Sequence, residues 1–208
     1  EIAANPHFSD DAPGGIRIVD TNNDGSLTPE DRVALGTPYP DFTWGITNTF
    51  QIKDFDISFL IQGVQGITVL NGDVYYNETK KWNKKYTKNR WVSAEHPGDG
   101  KTPYQNVKTG HDLMLTDYPL QNASYACLRN FTVGYTLPAT AARKIKLSGV
   151  RFYVSGSNLL YIWGSGYKGI NPESRMTSGN YSSAMISGYQ RGGFPLTSTI
   201  SAGFDINF

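Results

Sequence analysis

The sequence predicts an all-β fold, the wall of a transmembrane antiparallel β-barrel that carries long extracellular loops. Three observations lead there. Apolar and polar residues alternate over several stretches of roughly 9–11 residues, the length a tilted strand needs to cross a bilayer. The connections between those stretches are long on one side and short on the other, the asymmetry of outer-membrane barrels. The longest apolar runs, such as Leu159-Leu160-Tyr161-Ile162-Trp163, fall far below the ~18 residues of a membrane helix. A chain of this kind that lives in a membrane must therefore do so as a closed barrel.

Composition agrees. The 208 residues are 38% hydrophobic and 18% charged, with a net charge of +1, which gives no signal for nucleic acid or acidic substrates. Tyr 13 and Gly 22, with aromatics at 13%, favour strands over helices. The single cysteine, Cys127, rules out an intrachain disulfide framework and a cysteine zinc site, and it reads as an ordinary strand residue. His7, His96 and His111 lie in loop-like stretches without a nucleophile motif or metal-ligand spacing, so no enzyme is expected.

Residues 1–15 are polar and punctuated by Pro and Gly, a loop by composition. The sharpest local motif follows: Asp20-Thr21-Asn22-Asn23-Asp24-Gly25-Ser26-Leu27-Thr28-Pro29-Glu30-Asp31. Oxygen-bearing side chains at positions 1, 3 and 5, Gly at 6 and a carboxylate at 12 form a calcium-loop pattern. Asp20, Asn22 and Asp24 would ligate through side chains and Ser26 through its carbonyl. Thr28 would serve directly or through water, and Asp31 would close the shell. Asp in place of Glu at 12, and no helical pattern before Asp20, depart from an EF-hand. The alternative is a metal-free Asx/Gly turn.

From Phe42 to Ile52 one face carries Phe42, Trp44, Ile46, Phe50 and Ile52, broken by Asn48, and the other Thr43, Gly45, Thr47, Thr49 and Gln51. Lys53-Asp54 is a short connection, after which Phe55, Ile57, Phe59 and Ile61 alternate with Asp56, Ser58, Leu60 and Gln62. This hairpin has one greasy face and one wet face, which suits a watery lumen better than a packed core. Residues 64–121 show no sustained strand period and read as a long extracellular loop rich in Trp, Tyr and Lys. Tyr125 to Leu137 is the next strand, with Phe131, Val133, Tyr135 and Leu137 outward and Asn130, Thr132, Gly134 and Thr136 inward. Residues 138–149 connect it to a fourth strand, Val150 to Leu160, and 163–193 form a further extracellular loop. The last stretch alternates again, with Leu196, Ser198, Ile200, Ala202, Phe204, Ile206 and Phe208 on one face. Trp82, Trp91 and Tyr167, placed on loops, are the candidates for ligand or partner contact.

Several blocks, in order, resemble the C-terminal end of SusC/RagA-type TonB-dependent transporters of Bacteroidetes. They are I-R-I-V-D-T-N-N-D-G-S-L-T-P-E-D-R (16–32), Lys53-Asp54-Phe55-Asp56-Ile57-Ser58 with Gln62-Gly63, and L-R-N-F-T-V-G-Y-T-L-P (128–138). V-R-F-Y-V-S-G-S-N-L (150–159), Tyr167-Lys168-Gly169-Ile170-Asn171-Pro172-Glu173 and the terminal strand complete the set. The resemblance implies a 22-stranded barrel, of which residues 1–208 supply C-terminal strands without the plug or the N-terminal strands. It also implies a SusD-like surface lipoprotein as partner, energy from TonB through the missing part, and oligosaccharide or peptide as substrate. Location in the outer membrane, with the C-terminus periplasmic, follows. Five strands starting outside cannot complete an even-numbered wall, so a larger protein is expected. The competing expectation is a secreted, calcium-stabilised β-domain that binds carbohydrate, which would hide Trp44, Phe59 and Phe131 inside.

Overall fold

The computed structural model describes residues 2–9, 11–74, 88–104, 115–174 and 188–208. They fall into two compact units, one of residues 40–67, 123–165 and 194–208, the other of 1–39, 68–122 and 166–193.

The first unit is a five-stranded antiparallel sheet. Its strands are β1 (Phe42–Ile52), β2 (Phe55–Gln65), β5 (Tyr125–Thr136), β6 (Gly149–Trp163) and β8 (Thr199–Asn207), in that order. Pairing Ile52 with Phe55 leaves Lys53 and Asp54 as a two-residue turn, with Lys53 in the left-handed region at φ 55°. The Phe42–Gln65, Tyr125–Trp163 end of the sheet feeds the long connections and the opposite end the short ones.

The sheet holds a displacement that the alternation does not show. Between β2 and β5 the register slips at Arg129, and between β5 and β6 it slips again opposite Asn158, which sits at φ 55°. An extra residue turns every later side chain to the other face. Phe131, Val133 and Tyr135 thus share the apolar face with Ala126 and Leu128, while Tyr125 and Cys127 join Asn130, Thr132 and Gly134 on the polar one. The connector after β5 also holds more than a turn. A six-residue helix, α1 (Ala139–Lys144), starts on Pro138 and buries Ala142, as its alanine content favours.

The second unit contains a small sheet of β4 (Leu120–Asn122), β3 (Thr68–Asn71) and β7 (Tyr189–Gln190), with β3 and β7 parallel. Residues 64–121 and 163–193, read as loops, thus carry the ends of β2 and β6 and three short strands. Strands of 2–4 residues are too short to display a period, and their partners lie far away in sequence. Val69, Val74, Asn71, Tyr189 and Gln190 form the buried centre of this unit.

Candidate functional site

The register sorts the large sheet into two faces of opposite chemistry. Trp44, Ile46, Phe50 and Ile52 of β1 align with Gly63, Ile61, Ile57 and Phe55 of β2, and these in turn with Leu128, Val133 and Tyr135 of β5. Phe152, Val154, Leu160 and Ile162 of β6 and Ile200, Phe204 and Ile206 of β8 continue the same face. Ile46 is 54% exposed, Phe152 50% and Phe204 65%, so this is an apolar surface without a covering layer among the described residues. Trp44 fills the gap its glycine partner leaves. A Cβ on Gly63 would stand 2.4 Å from the Trp44 ring, so the indole occupies the space that a side chain there would take.

The opposite face carries hydroxyls, amides and two anchored guanidinium groups. Arg151 donates from Nε and Nη2 to the two oxygens of Asp56, at 3.0 and 2.6 Å, and from Nη1 to Asp205 at 3.3 Å. It crosses β5 at Gly134, where a Cβ would come within 2.3 Å of Asp56 and 2.5 Å of Arg151. Arg129, at the bulge, donates to Asn158 Oδ1 at 2.6 Å and to Tyr161 Oη at 2.8 Å. With the Gln62 amide turned so that its oxygen faces the guanidinium, that oxygen accepts from Nη2 at 2.6 Å and from Nε at 3.0 Å. Ser198 Oγ in turn donates to the Asn158 carbonyl at 2.7 Å. None of these residues is among the site candidates read from the sequence. The available signal was Arg129 and Arg151 as charges set in otherwise alternating strands.

The loop at 20–31 folds around its own carboxylates. Gly25 N–H donates to Asp20 Oδ2 at 2.8 Å, Asp24 N–H to Asn22 Oδ1 at 2.9 Å, and Ser26 N–H to Asp24 Oδ1 at 2.8 Å. Asp31 behaves differently. Its Oδ2 accepts from Thr28 N–H at 2.8 Å and its Oδ1 from Thr21 N–H at 2.8 Å, a capping box on the single turn Pro29–Asp31. The Thr28 N–H above all, then those of Thr21 and Asn22, hold this carboxyl below the usual range against the opposing effect of burial. Asn22 and Asp24 are exposed and Asp20 half-buried, while Asp31 anchors the two ends of the loop. Ser26 and Thr28 donate their N–H groups to Asp24 and Asp31 respectively. No three Asp, Glu, His or Cys side chains among the described residues are grouped as a metal site.

The aromatic candidates part ways. Trp91 is half-buried, lying over Gly14 (φ 77°) and meeting Tyr104 edge-on, with ring centroids 6.4 Å apart. Tyr167, expected as exposed on its loop, is only 7% exposed, and its hydroxyl donates to Gln190 Oε1 at 2.7 Å. A buried phenol needs such a partner, which makes Tyr167 part of the inner framework of its unit. Trp82 and His111 lie outside the described residues.

Known proteins resemble this chain along most of its length. The chain is 30% identical over 206 residues to TonB-dependent receptor P3 of Formosa agariphila, a match over 96% of this chain and 19% of that protein. It is 27% identical over 157 residues to TonB-dependent receptor SusC of Bacteroides thetaiotaomicron, covering 75% of this chain and 15% of the relative. This chain is homologous to TonB-dependent receptors. It spans about a fifth of the length of the receptors it matches. No protein-family model matches it. Among solved structures it superposes on the RagAB peptide importer in the "closed-closed" state with a TM-score of 0.66 at 20% identity, over 94% of this chain and 20% of that one. The RagAB peptide transporter gives 0.64 at 21% identity, over 83% and 18%. The fold is thus a stretch of receptor β-barrel wall, with the barrel left open in a chain of this span.

Proposed function

We propose that this chain is wall and outer loops of a TonB-dependent importer in the bacterial outer membrane, moving oligosaccharides or peptides. The two-faced sheet carries the reading. An open apolar face of strand after strand suits lipid, and the facing row of hydroxyls, amides and guanidiniums suits a water-filled lumen. A secreted carbohydrate-binding β-domain would have to bury Ile46, Phe152 and Phe204, all at least half exposed.

On this reading residues 20–31, 64–121 and 163–193 face the outside and the Lys53-Asp54 turn faces the periplasm. A SusD-like lipoprotein closes the entrance over the long loops, and TonB acts through the remainder of the receptor. Calcium held by Asp20, Asn22 and Asp24 stiffens the first outer loop and takes no part in translocation.

Single cysteines in the full receptor test this in intact cells. With Cys127 replaced by Ala, a membrane-impermeant maleimide is expected to label Ser26→Cys and to leave Ile46→Cys and Asp54→Cys unlabelled. Labelling of Ile46→Cys, or recovery of the receptor in the soluble fraction, would sink the proposal. Loss of uptake on deleting the gene then identifies glycan or peptide as cargo.

A further inference from the structure

The short-turn end of the large sheet gathers cations that the bridges of its polar face leave unused. Pairing places Ile52, Phe55, Tyr135, Phe152 and Phe204 in one row across all five strands, on the apolar face. Within it the Phe55 and Tyr135 ring centroids lie 4.8 Å apart. An aromatic row of this kind marks the level at which a lipid-facing apolar band ends. Beyond it the backbone ties the turn, the connector and the last strand together. The Asp54 carbonyl accepts from Thr136 N–H at 2.8 Å, and Ser148 N–H donates to the Asn207 carbonyl at 2.9 Å. Lys53, Arg143, Lys144 and Lys146 are exposed here, and none of them makes an ion pair among the described residues. Asp54 opposes them, while Asp56 and Asp205 are held by Arg151. The end of α1 favours Arg143 and Lys144, but Lys146 lies past it at φ 59° and Lys53 belongs to another turn. Ile145 stands among the cations, 57% exposed. The display is built rather than loose, since Ile145 N–H and Leu147 N–H both donate to the carbonyl of buried Ala142 at 3.1 Å.

We propose that this rim, Lys53 with Arg143, Lys144 and Lys146, binds the phosphates of anionic phospholipids in the leaflet that the short turns meet. Depth fits. Headgroups add roughly 5–8 Å to each side of the hydrocarbon. Three residues separate Tyr135 from Pro138 at the start of α1. That is about 10 Å along a strand and less along the membrane normal once the strand tilts. Chemistry fits as well. Lys and Arg carry their charge on long apolar stems, so the heads reach phosphate while the stems and Ile145 rest against acyl chains. Each cation near an anionic membrane surface strengthens binding about fivefold. Free phosphate offers the same charge without the chains that Ile145 would meet. The assignment rests on the importer reading for its membrane and its orientation.

The test immobilises the full receptor in detergent micelles and offers it acyl-labelled phosphatidylglycerol or phosphatidylcholine. The expected result is preferential retention of phosphatidylglycerol, weakened by salt and not displaced by millimolar inorganic phosphate. Arg143→Gln/Lys144→Gln/Lys146→Gln is expected to weaken that retention on the order of a hundredfold. Lys88→Gln/Lys101→Gln, in the other unit, is expected to leave it unchanged. In wild-type receptor, phosphatidylglycerol with a photoreactive headgroup is expected to crosslink within residues 139–148. Where a variant fails to reach the membrane, the crosslink on wild type decides alone. Equal retention of the two lipids, displacement by phosphate, or a triple variant that holds phosphatidylglycerol as wild type does overturns the proposal. So do crosslinks confined to other segments. The importer reading fails separately, through the maleimide pattern described above. A receptor that passes that test and shows no lipid preference sinks this inference alone.

Discussion

Arg151 on β6 grips Asp56 on β2 across an intervening strand, its Nε and Nη2 meeting the two carboxylate oxygens at 3.0 and 2.6 Å. The fork-to-carboxylate geometry is the strong form of an ion pair, and Asp205 on β8 extends it. Four strands are thereby tied at the level of Gly134. Gly134→Leu would drive a side chain into the bridge, 2.3 Å from Asp56 at the Cβ alone. The expected cost is about 1–3 kcal/mol. Arg151→Met, which removes the bridge but leaves room for β5, should fall at the lower end, because both partners are about a third exposed. The temperature at which the folded receptor loses its compact gel mobility ranks the two.

The apolar face makes a sharper claim. Arg in place of Ile46 puts a charge against hydrocarbon, and near the middle of the bilayer that costs roughly 2–4 kcal/mol. Arg in place of Ser58, on the polar face, should cost less than about 1 kcal/mol. Equilibrium folding of the receptor into lipid vesicles reads both. Equal penalties would mean that the faces have been assigned wrongly.

How far the sequence disclosed this is clear from β5. Alternation located Phe131, Val133 and Tyr135 on one face, and the register agrees. The same alternation, carried back through Arg129, puts Leu128 and Ala126 on the wrong side, because a bulge is one residue of geometry without a compositional mark. Lys53-Asp54 is legible as a turn because strand alternation stops there and restarts one residue out of phase. β7 was not, since two residues cannot show a period and Leu70, partner of Tyr189, lies in another loop. Tyr167 misled for a related reason. Loop position suggests exposure, yet Gln190 waits for its hydroxyl inside the unit. Asp31 looked like a ligand by spacing and serves as a cap by geometry.

Acid should loosen the Trp91–Thr102 pairing of the loop unit. Burial raises the Asp99 pKa. It is outweighed by the N–H groups of Lys101 and Thr102, the Thr102 hydroxyl and the charge of Lys168, so the net shift is downward. A carboxyl depressed in the folded state stabilises above its unfolded value, and the contribution is lost as pH falls through the folded one. The Trp91 backbone N–H donates to the Thr102 carbonyl at 2.9 Å, coupling this segment to the turn. Amide exchange at Trp91 and Thr102, corrected for intrinsic rates, should therefore stay flat above about pH 4 and rise below it. Asp99→Asn should raise it at neutral pH.

Calcium removal gives a further test. At a free concentration a hundredfold above its dissociation constant, a bound ion stabilises its loop by about 2.7 kcal/mol. Chelation should then speed exchange at Gly25 and Ser26, whose N–H groups rest on Asp20 and Asp24. Asp20→Ala should abolish the difference between calcium and chelator. An unchanged exchange profile in wild type would leave a metal-free Asx turn as the correct description.

Among the described residues β1 pairs only with β2 and β8 only with β6, so the sheet presents two open margins of eleven and nine residues. Each is a row of unspent backbone donors and acceptors, flanked by exposed Ile and Phe. Inside a closed wall those groups are matched by neighbouring strands. Produced by itself in the cytoplasm, the same span is a template for its own copies, able to stack edge to edge into fibrils or inclusion bodies. A cell that makes such a ribbon must keep it from meeting another until the wall closes, so on the importer reading escort to the membrane is as much a requirement of this sequence as its final fold.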